Sequence, residues 1–565
     1  MAGNCNFRVC GVGARTLILF LMTARDPNTS VQDKSAVLSA LYLILALGVP
    51  IVYVMVTHHV WEDFLITFRH SQNLVEGRGL VYQPGERVQG FTSPMNTLLP
   101  AAFYWFVGGS DYSRALNLYR VVSLLAYVGG GWVILRLMLI DRGADRWSPL
   151  VFILLYTTEA KTVAYTMNGQ ETAFMVAFLC LGFAAIYRGP GKFWRLLALG
   201  WTGLLYTRPD APVFIAALGV SALVFSAENQ REIITGLLKA GGVAALAYLP
   251  WFAWSWWYYG QPIPNTLLAK SIDTPGYLLV PGNLGSIIIS TLESFPIAAG
   301  SVFEPIYASV GGWPQPWLDL FGMACAVVSA FYWMIPSRDH MGRLASLLFL
   351  FTAAYLSFVR VWAITAVAPW YLPSAGIFGT IALARAAVEI AKCIPGVKRS
   401  PVAFARVFQG CVLAVAVVLL VTMTMEMRIQ QREIEQNNRR VIGLWLHDNV
   451  KPGQTVMLEP LGYIGYYSNA HILDWPGLVA PAVVRLRREK NAVLDDIVLD
   501  LKPDWIVLRP DWTFNFLRFA YFRENYAVEH VFDVSKTLDH YSYIPGKGYL
   551  DSDSIFIVVH RKTPD

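Results

Sequence analysis

Trp61-Glu62-Asp63-Phe64-Leu65-Ile66-Thr67-Phe68-Arg69, continuing to Gly90-Phe91-Thr92-Ser93-Pro94, places two adjacent carboxylates directly after the first long apolar segment of the chain. A carboxylate at a membrane edge is costly to hold there and is a functional candidate for that reason. A solvated helix N-terminus, where the macrodipole favours acids, accounts for the same pair. The choice between these readings depends on what flanks the stretch.

Membrane segments flank it. Of the 565 residues, 55% are hydrophobic, 14% aromatic and only 15% charged, a balance foreign to soluble domains. Apolar runs able to cross a bilayer recur at Ala36–Thr57, Leu118–Ile140, Pro149–Tyr165, Thr172–Tyr187, Leu196–Tyr206, Ala211–Phe225, Leu237–Trp257, Trp317–Ile335, Leu344–Val361, Tyr371–Ala391 and Val407–Met425. They predict a polytopic α-helical membrane protein with about eleven transmembrane helices across residues 36–425. The loops Asp141–Arg146, Arg188–Arg195, Arg338–Arg343 and Lys392–Arg406 are basic, whereas Asn168–Glu171 and Ala363–Trp370 lack Lys and Arg. Positive charge marks the cytoplasmic side. The first loop (58–116), the Arg208 turn, the loop 258–316 and everything after residue 425 are therefore expected together outside.

Residues 1–35 read as a cytoplasmic tail, because the apolar run Thr16–Thr23 behind Arg8 and Arg15 is too short to span. The net charge of +6 forms no basic stripe, which argues against nucleic acid. Cysteines occur at 5, 10, 180, 325, 393 and 411, in the tail, the spans or a basic loop, so a disulfide framework or cysteine metal cluster is not expected. Trp251, Trp254, Trp256, Trp257, Tyr258 and Tyr259 crowd the outer end of one span and read as an interface belt.

Two segments of the first loop read as lying on the membrane. Pro94–Val107 is apolar but about fourteen residues long, and counting it as a span would turn Arg142 and Arg146 outward. From about Asp63 to Val75, Phe64, Phe68 and Val75 share one helix face while Arg69, His70, Asn73 and Glu76 fall elsewhere. Beyond Met425 the pattern changes. A charged helix, Glu426–Val450, ends at Pro452-Gly453. Strand-like runs at Thr455–Leu458, Trp505–Leu508 and Ser554–Val559 then alternate with helical patterns at 478–500 and 513–525. Residues 426–565 thus read as an external soluble α/β domain. It carries neither a G-x-G-x-x-G after a strand nor a Walker loop, so a nucleotide-activated substrate is not expected.

The block Glu62–Arg69, Asn73–Val81 and Pro84–Pro94 closely resembles the first external loop of bacterial GT-C glycosyltransferases of the mycobacterial terminal arabinofuranosyltransferase type. Gly169-Gln170-Glu171-Thr172, Thr207-Arg208-Pro209-Asp210, Tyr258-Tyr259-Gly260, Pro264-Asn265-Thr266, Lys270, Pro369–Pro373 and Ile464-Gly465-Tyr466-Tyr467-Ser468 with Asp474 and Gly477-Leu478 continue the likeness in order. The resemblance implies a GT-C-like membrane enzyme of the bacterial inner membrane that uses a polyprenyl-phosphate sugar. Its active site and C-terminal domain would lie on the extracytoplasmic side, and an acidic residue of the first loop would act as catalytic base. The family commonly has Asp-Asp where this chain has Glu62-Asp63, which makes Asp63 the expected base and Glu62 a helper or headgroup ligand. The late motif commonly carries an Arg; none lies between Ala363 and Pro373, and Arg360 is the nearest basic residue.

Such a transfer needs a base to take the acceptor's proton, and cations to hold the phosphate leaving group. Arg208, beside a proline between two short apolar segments, must find an anion or reach water; Asp210 is the structural alternative. Lys270, Arg69, His70 and, by resemblance, Asn265 complete the expected donor-binding set. Glu171, with an N-cap role as its alternative, and His471 and Asp474, with a structural hydrogen bond as theirs, are the expected acceptor contacts. No cofactor is evident, although Glu62, Asp63 and the phosphate could together hold a divalent ion. The expected partners are a polyprenyl-phosphate sugar, which the resemblance implies to be arabinofuranose, an envelope polysaccharide and membrane lipid. The rivals are the same fold glycosylating a protein or lipid, a lipid-linked-sugar flippase, for which no internal repeat is evident, and a glycan-binding scaffold.

Overall fold

The computed structural model describes residues 29–562 except 110, 142–144, 146, 227, 273–283, 309–310, 364–366, 395 and 397–399. Most of the expected tail 1–35, and Arg142 and Arg146, lie outside the described residues. In hydrocarbon every backbone N–H and C=O must bond within its own segment, so the apolar runs are helices. In chain order these are α1 (Thr29–Thr57), α2 (Glu62–Val75), α3 (Pro94–Phe106), α4 (Tyr112–Ile140), α5 (Ser148–Thr158), α6 (Ala160–Met167), α7 (Thr172–Arg188), α8 (Trp194–Thr207), α9 (Ala211–Phe225), α10 (Gln230–Tyr259), α11 (Asn265–Lys270), α12 (Leu284–Gly300), α13 (Trp317–Phe331), α14 (His340–Ala363), α15 (Pro373–Cys393) and α16 (Pro401–Asn449). Among the described residues, eight helices rather than the expected eleven are long and apolar enough to cross a membrane, or nine if α6 and α7, bent by 119°, count as one broken span. The chain is a multi-pass membrane protein with a small C-terminal sheet domain.

α15 threads the centre of the bundle. Its Gly376, Gly379, Ala382 and Ala386 are small enough to let neighbouring helices close in, and Phe303 and Phe349 fill the space over Gly379. α1 and α10 sit at the periphery and present exposed Ile44, Val52, Met55, Leu238 and Leu246, as lipid-facing helices do. At the end of the bundle away from the sheet domain, buried Arg385 pairs with Asp339 and, at 2.6 Å, with Asp141.

Four expectations need correction. The loop 258–316 contains an apolar helix, α12. It runs antiparallel to α14, with Thr291 beside Ser357 and Phe303 against Phe349, and the chain then returns to Tyr307, which stacks on Tyr549 of the sheet domain at 4.4 Å. Isoleucines interrupted by Ser and Glu hid this helix in a stretch that reads as loop. The expected span Pro149–Tyr165 is broken at Glu159, whose carboxylate caps α6 through the N–H groups of Lys161 (3.3 Å) and Thr162 (2.7 Å). The helix α16 runs without interruption across residues 425–426, through a π-helical stretch at Gln430–Arg439, so no chain break separates membrane and sheet regions there. The sheet also has two strands that the sequence reading missed.

The strands are β1 (Thr455–Leu458), β2 (His471–Asp474), β3 (Trp505–Leu508), β4 (Tyr526–Asp533) and β5 (Ile555–Arg561), ordered β2-β1-β3-β5-β4. β1 pairs parallel with β2 and β3, and β5 pairs antiparallel with β3 and β4. The missed strands β2 and β4 are the two edges, where half-exposed residues blur the apolar signal. α17 (Gly462–Ser468) links β1 to β2 and packs on α2. The first loop and α11 are bolted to this domain through polar side chains meeting backbone. Gln83 brackets Ile472, accepting from its N–H (2.6 Å) and donating to its carbonyl (3.1 Å), and Asn265 donates to the carbonyls of Gly477 (2.7 Å) and Leu478 (2.9 Å).

Candidate active site

Trp61 is extended and α2 starts at Glu62, so both acids fall in the first helical turn, where the dipole favours them. Phe64, Leu65 and Phe68 anchor the helix in a buried cluster with Tyr119 and Tyr463. Successive helical residues point about 100° apart, and the two carboxylates accordingly diverge. Glu62 accepts from the N–H of Gly462 in α17 (2.7 Å) and lies 3.5 Å from Arg439. Asp63 faces a cavity of about 210 Å³ enclosed by α2, the Gly90–Asn96 segment, the α6–α7 bend, the Arg208 turn, α11 and Trp370-Tyr371. Burial raises the Asp63 carboxyl above its usual range, partly countered by Lys270 and then Arg439. Burial pushes Glu62 up to about 8 against the opposing pull of Arg439.

Arg208 closes one wall. Its guanidinium donates to both carboxylate oxygens of Asp210 (2.8 and 2.9 Å), lies 3.7 Å from Glu171 and sits 3.7 Å above the ring of Tyr371. Tyr355 donates to Asp210 at 2.9 Å, which fixes the far side of this pair. Both alternatives weighed for these residues therefore have a structural answer. The Asp210 bridge exists, yet Arg208 still lines the cavity, and Glu171 spends its carboxylate on Arg208 and Asn96 (3.3 Å) instead of capping α7. Lys270, at the end of α11, is exposed, forms no ion pair with a described residue and has its Nζ 6.0 Å from the Trp370 ring.

The motifs have local physical reasons. Gly169 has φ +98°, and a Cβ there would lie 2.6 Å from the Phe64 ring, so only glycine seats Gln170 and Glu171 against α2. Gly90 passes so close to Val479 that a Cβ would stand 2.6 Å from it. Ser93 caps α3 by accepting from the N–H of Asn96 (3.0 Å), which holds that residue at the cavity wall. Gln170 Nε2, Thr266 Oγ1 and Asn96 Oδ1 have no hydrogen-bond partner among the described residues, whereas buried polar groups are normally bonded. These three, with Trp370 and Tyr371, were not singled out from sequence, although all but Asn96 lie within the quoted motifs.

The structure brings Asp63, Glu171, Arg208 and Lys270 together and separates the other expected site residues from them. Arg69 points from another face of α2, donating to the carbonyl of Tyr466 (3.3 Å) and to Asn469 Oδ1 (2.5 Å). His70 is fully buried, donates through Nδ1 to the Ile66 carbonyl (3.0 Å) and is pushed down to about 4 by burial, so it is neutral and no phosphate clamp. Asn265 is consumed in docking the sheet domain. Asp474 is buried and accepts from the N–H groups of Leu478 (2.5 Å) and Val479 (2.9 Å), turning the chain after β2; its carboxyl rises to about 6 through burial. His471 is exposed beside Glu86, at 3.5 Å. Glu62, expected to share a divalent ion with Asp63 if one is bound, rests on α17 and Arg439. Among the described residues no group of three or more His, Cys, Asp or Glu side chains converges as a metal site.

A family model described as a domain of unknown function, DUF8728, matches residues 427–549. Over 333 residues the chain is 27% identical to the terminal β-(1→2)-arabinofuranosyltransferase of Mycobacterium tuberculosis, covering 50% of this chain and 49% of that protein, so the match spans about half the length of that curated relative. The fold is similar to that of ArnT from Cupriavidus metallidurans in the apo state, with TM-score 0.50, 13% identity and coverage of 92% of this chain and 97% of that one. It is also similar to the archaeal oligosaccharyltransferase AglB from Archaeoglobus fulgidus, in complex with an inhibitory peptide and a dolichol-phosphate, with TM-score 0.51, 10% identity and coverage of 87% and 73%. The chain shares the overall fold of these two proteins.

Proposed function

We propose that this protein is a membrane glycosyltransferase that moves a sugar, arabinofuranose in the reading favoured by its M. tuberculosis relative, from a polyprenyl-phosphate donor to a hydroxyl of an envelope glycan. The observation that carries this is the cavity that Asp63 and Lys270 line together beside the fixed guanidinium of Arg208. Asp63 takes the acceptor hydroxyl's proton as its oxygen attacks the anomeric carbon. The bond from that carbon to the phosphate oxygen breaks, polyprenyl phosphate leaves with the electron pair, and a single displacement inverts the centre. Lys270 and Arg208 stabilise the charge gathering on the phosphate. Two cations already stand at the cavity, so no metal is assigned a step.

An apolar groove of about 490 Å³ between α9 and α14 supports a lipid donor. It is lined by Val213, Val220, Phe351 and Phe358, and by Tyr355, whose hydroxyl holds the Asp210–Arg208 pair. A prenyl chain in that groove would bring its phosphate to Arg208. The cavity and sheet domain belong on the extracytoplasmic side of a bacterial inner membrane, in keeping with the basic loops at the opposite end. The test is transfer by the purified chain from synthetic polyprenyl-phosphate arabinofuranose, with the mannose analogue in parallel, to an arabinan oligosaccharide. Product from the first donor alone is expected. Product from mannose alone would move the proposal to another sugar. No transfer, with lipid-linked sugar crossing liposomes that contain the protein, would replace it with a flippase.

A further inference from the structure

We infer that the junction between α2 and α17 holds a second carbohydrate site, an exosite for a neutral oligosaccharide, separate from the Asp63 cavity. A cavity of about 430 Å³ opens there between Arg69, Gln72 and Glu76 of the first loop and Tyr466, Tyr467 and Asn469 of the sheet domain, with Pro84 on its rim. At about 100° per residue, Arg69, Gln72 and Glu76 lie roughly 120–180° round α2 from Asp63 and roughly 9–20 Å along its axis. The site therefore cannot be part of the reacting centre. A chain of several sugars could occupy it while its end reaches Asp63, so the inference rests on the glycan acceptor proposed above.

The chemistry of the walls selects the ligand class. Two partly exposed tyrosines and a proline offer apolar faces for sugar rings, and Gln72, Glu76 and Asn469 offer amide and carboxylate groups suited to hydroxyls. The site is also fixed before any ligand arrives. Glu76 is held by Gln72 (2.8 Å), by Tyr104 (3.1 Å) and by Arg78, and Tyr466 packs edge-on against Tyr112 at 5.6 Å. An anionic ligand fits poorly. Arg78 is already neutralised by Glu76, and Arg69 is buried with its two Nη groups committed to Tyr466 and Asn469. Neither guanidinium is free for the paired contact that a phosphate or carboxylate takes.

The test uses the full chain in detergent and two variants. Pro84→Trp fills the groove from an exposed position without removing a side-chain hydrogen bond, and Tyr467→Ala removes a ring. Calorimetric titration with an arabinan hexasaccharide is expected to give saturable binding to wild type, weakened roughly tenfold or more in both variants. Inorganic phosphate at equal concentration should not compete. In transfer assays the variants should raise KM for the hexasaccharide by a similar factor, with kcat and the kinetics of a disaccharide acceptor unchanged. No binding by wild type, equal binding by wild type and Pro84→Trp, or displacement by phosphate would each overturn the exosite. Calorimetry needs no turnover, so a failure of transfer with hexasaccharide binding intact would count against the donor assignment and leave the exosite standing.

Discussion

Replacing Asp63 by Asn should separate activity from stability. The wild-type carboxylate makes no hydrogen bond to a described residue and is held against the cost of burial mainly by the field of Lys270. Asn keeps the shape and removes both the buried charge and its partial compensation, so folding stability should stay within about 1 kcal/mol of wild type, with the melting temperature unchanged or slightly raised. Loss of a general base costs about 10²–10⁴-fold in rate, or about 2.7–5.4 kcal/mol of barrier. Single-turnover transfer from polyprenyl-phosphate arabinofuranose and thermal unfolding of the same preparations measure the two quantities. The base acts as the carboxylate, so wild-type rate should fall as pH drops, with a midpoint above the ordinary carboxylate range, and the variant should lack that limb. A folded Asp63→Asn enzyme with more than a tenth of wild-type rate would refute the assignment. So would Glu62→Gln losing as much as Asp63→Asn, because Glu62 is bound to Gly462 and Arg439 outside the cavity.

Arg208→Lys keeps a charge for Asp210 and Glu171 but loses the bidentate fork and the flat contact with Tyr371; transfer should drop roughly 10–100-fold with only modest loss of stability, measured by donor titration and thermal unfolding. His70 is buried and neutral, with its pKa pushed down to about 4. Its contribution is complete above the unfolded value of about 6.5 and is lost as pH falls towards 4, at up to about 1.4 kcal/mol per pH unit. His70→Gln should flatten that part of the acid unfolding curve and leave stability above pH 7 without this pH dependence. Chelation by EDTA should leave transfer within about twofold of the untreated rate, because Lys270 and Arg208 supply the positive charge that a metal would otherwise bring.

Much of the architecture was legible because the bilayer imposes a strong one-dimensional rule: a crossing helix needs a long apolar run, and seven of the eleven expected segments lie on described helices long and apolar enough to cross. Leu196–Tyr206 and Ala211–Phe225 lie on helices of 14 and 15 residues, Thr172–Tyr187 counts only with α6 as a broken span, and Pro149–Tyr165 fails for a local reason, since Glu159 ends one helix and caps the next. α12 was hidden because its polar Ser and Glu dilute the apolar count while partner helices shield part of its surface. β2 and β4 were hidden because edge strands need only one protected face.

The site divides along a similar line. The residues by themselves determined that this is a membrane chain, that a first-loop acid pair and the Arg208 turn are unusual for their setting, and which glycine-bearing motifs frame them. Each of these follows from the local cost of placing a given side chain in or near hydrocarbon. Only the tertiary structure decided that Asp63 and Glu62 serve different surfaces, because adjacent side chains on a helix diverge and what each meets is set by α11 and α17, about 200 and 400 residues further along the chain. It also put the side chains of His70, Asn265 and Asp474 in hydrogen bonds to backbone, partners that, for Asn265, lie beyond the reach of local sequence. Long-range packing put Lys270 beside Asp63 and turned Arg69 towards Tyr466 and Asn469.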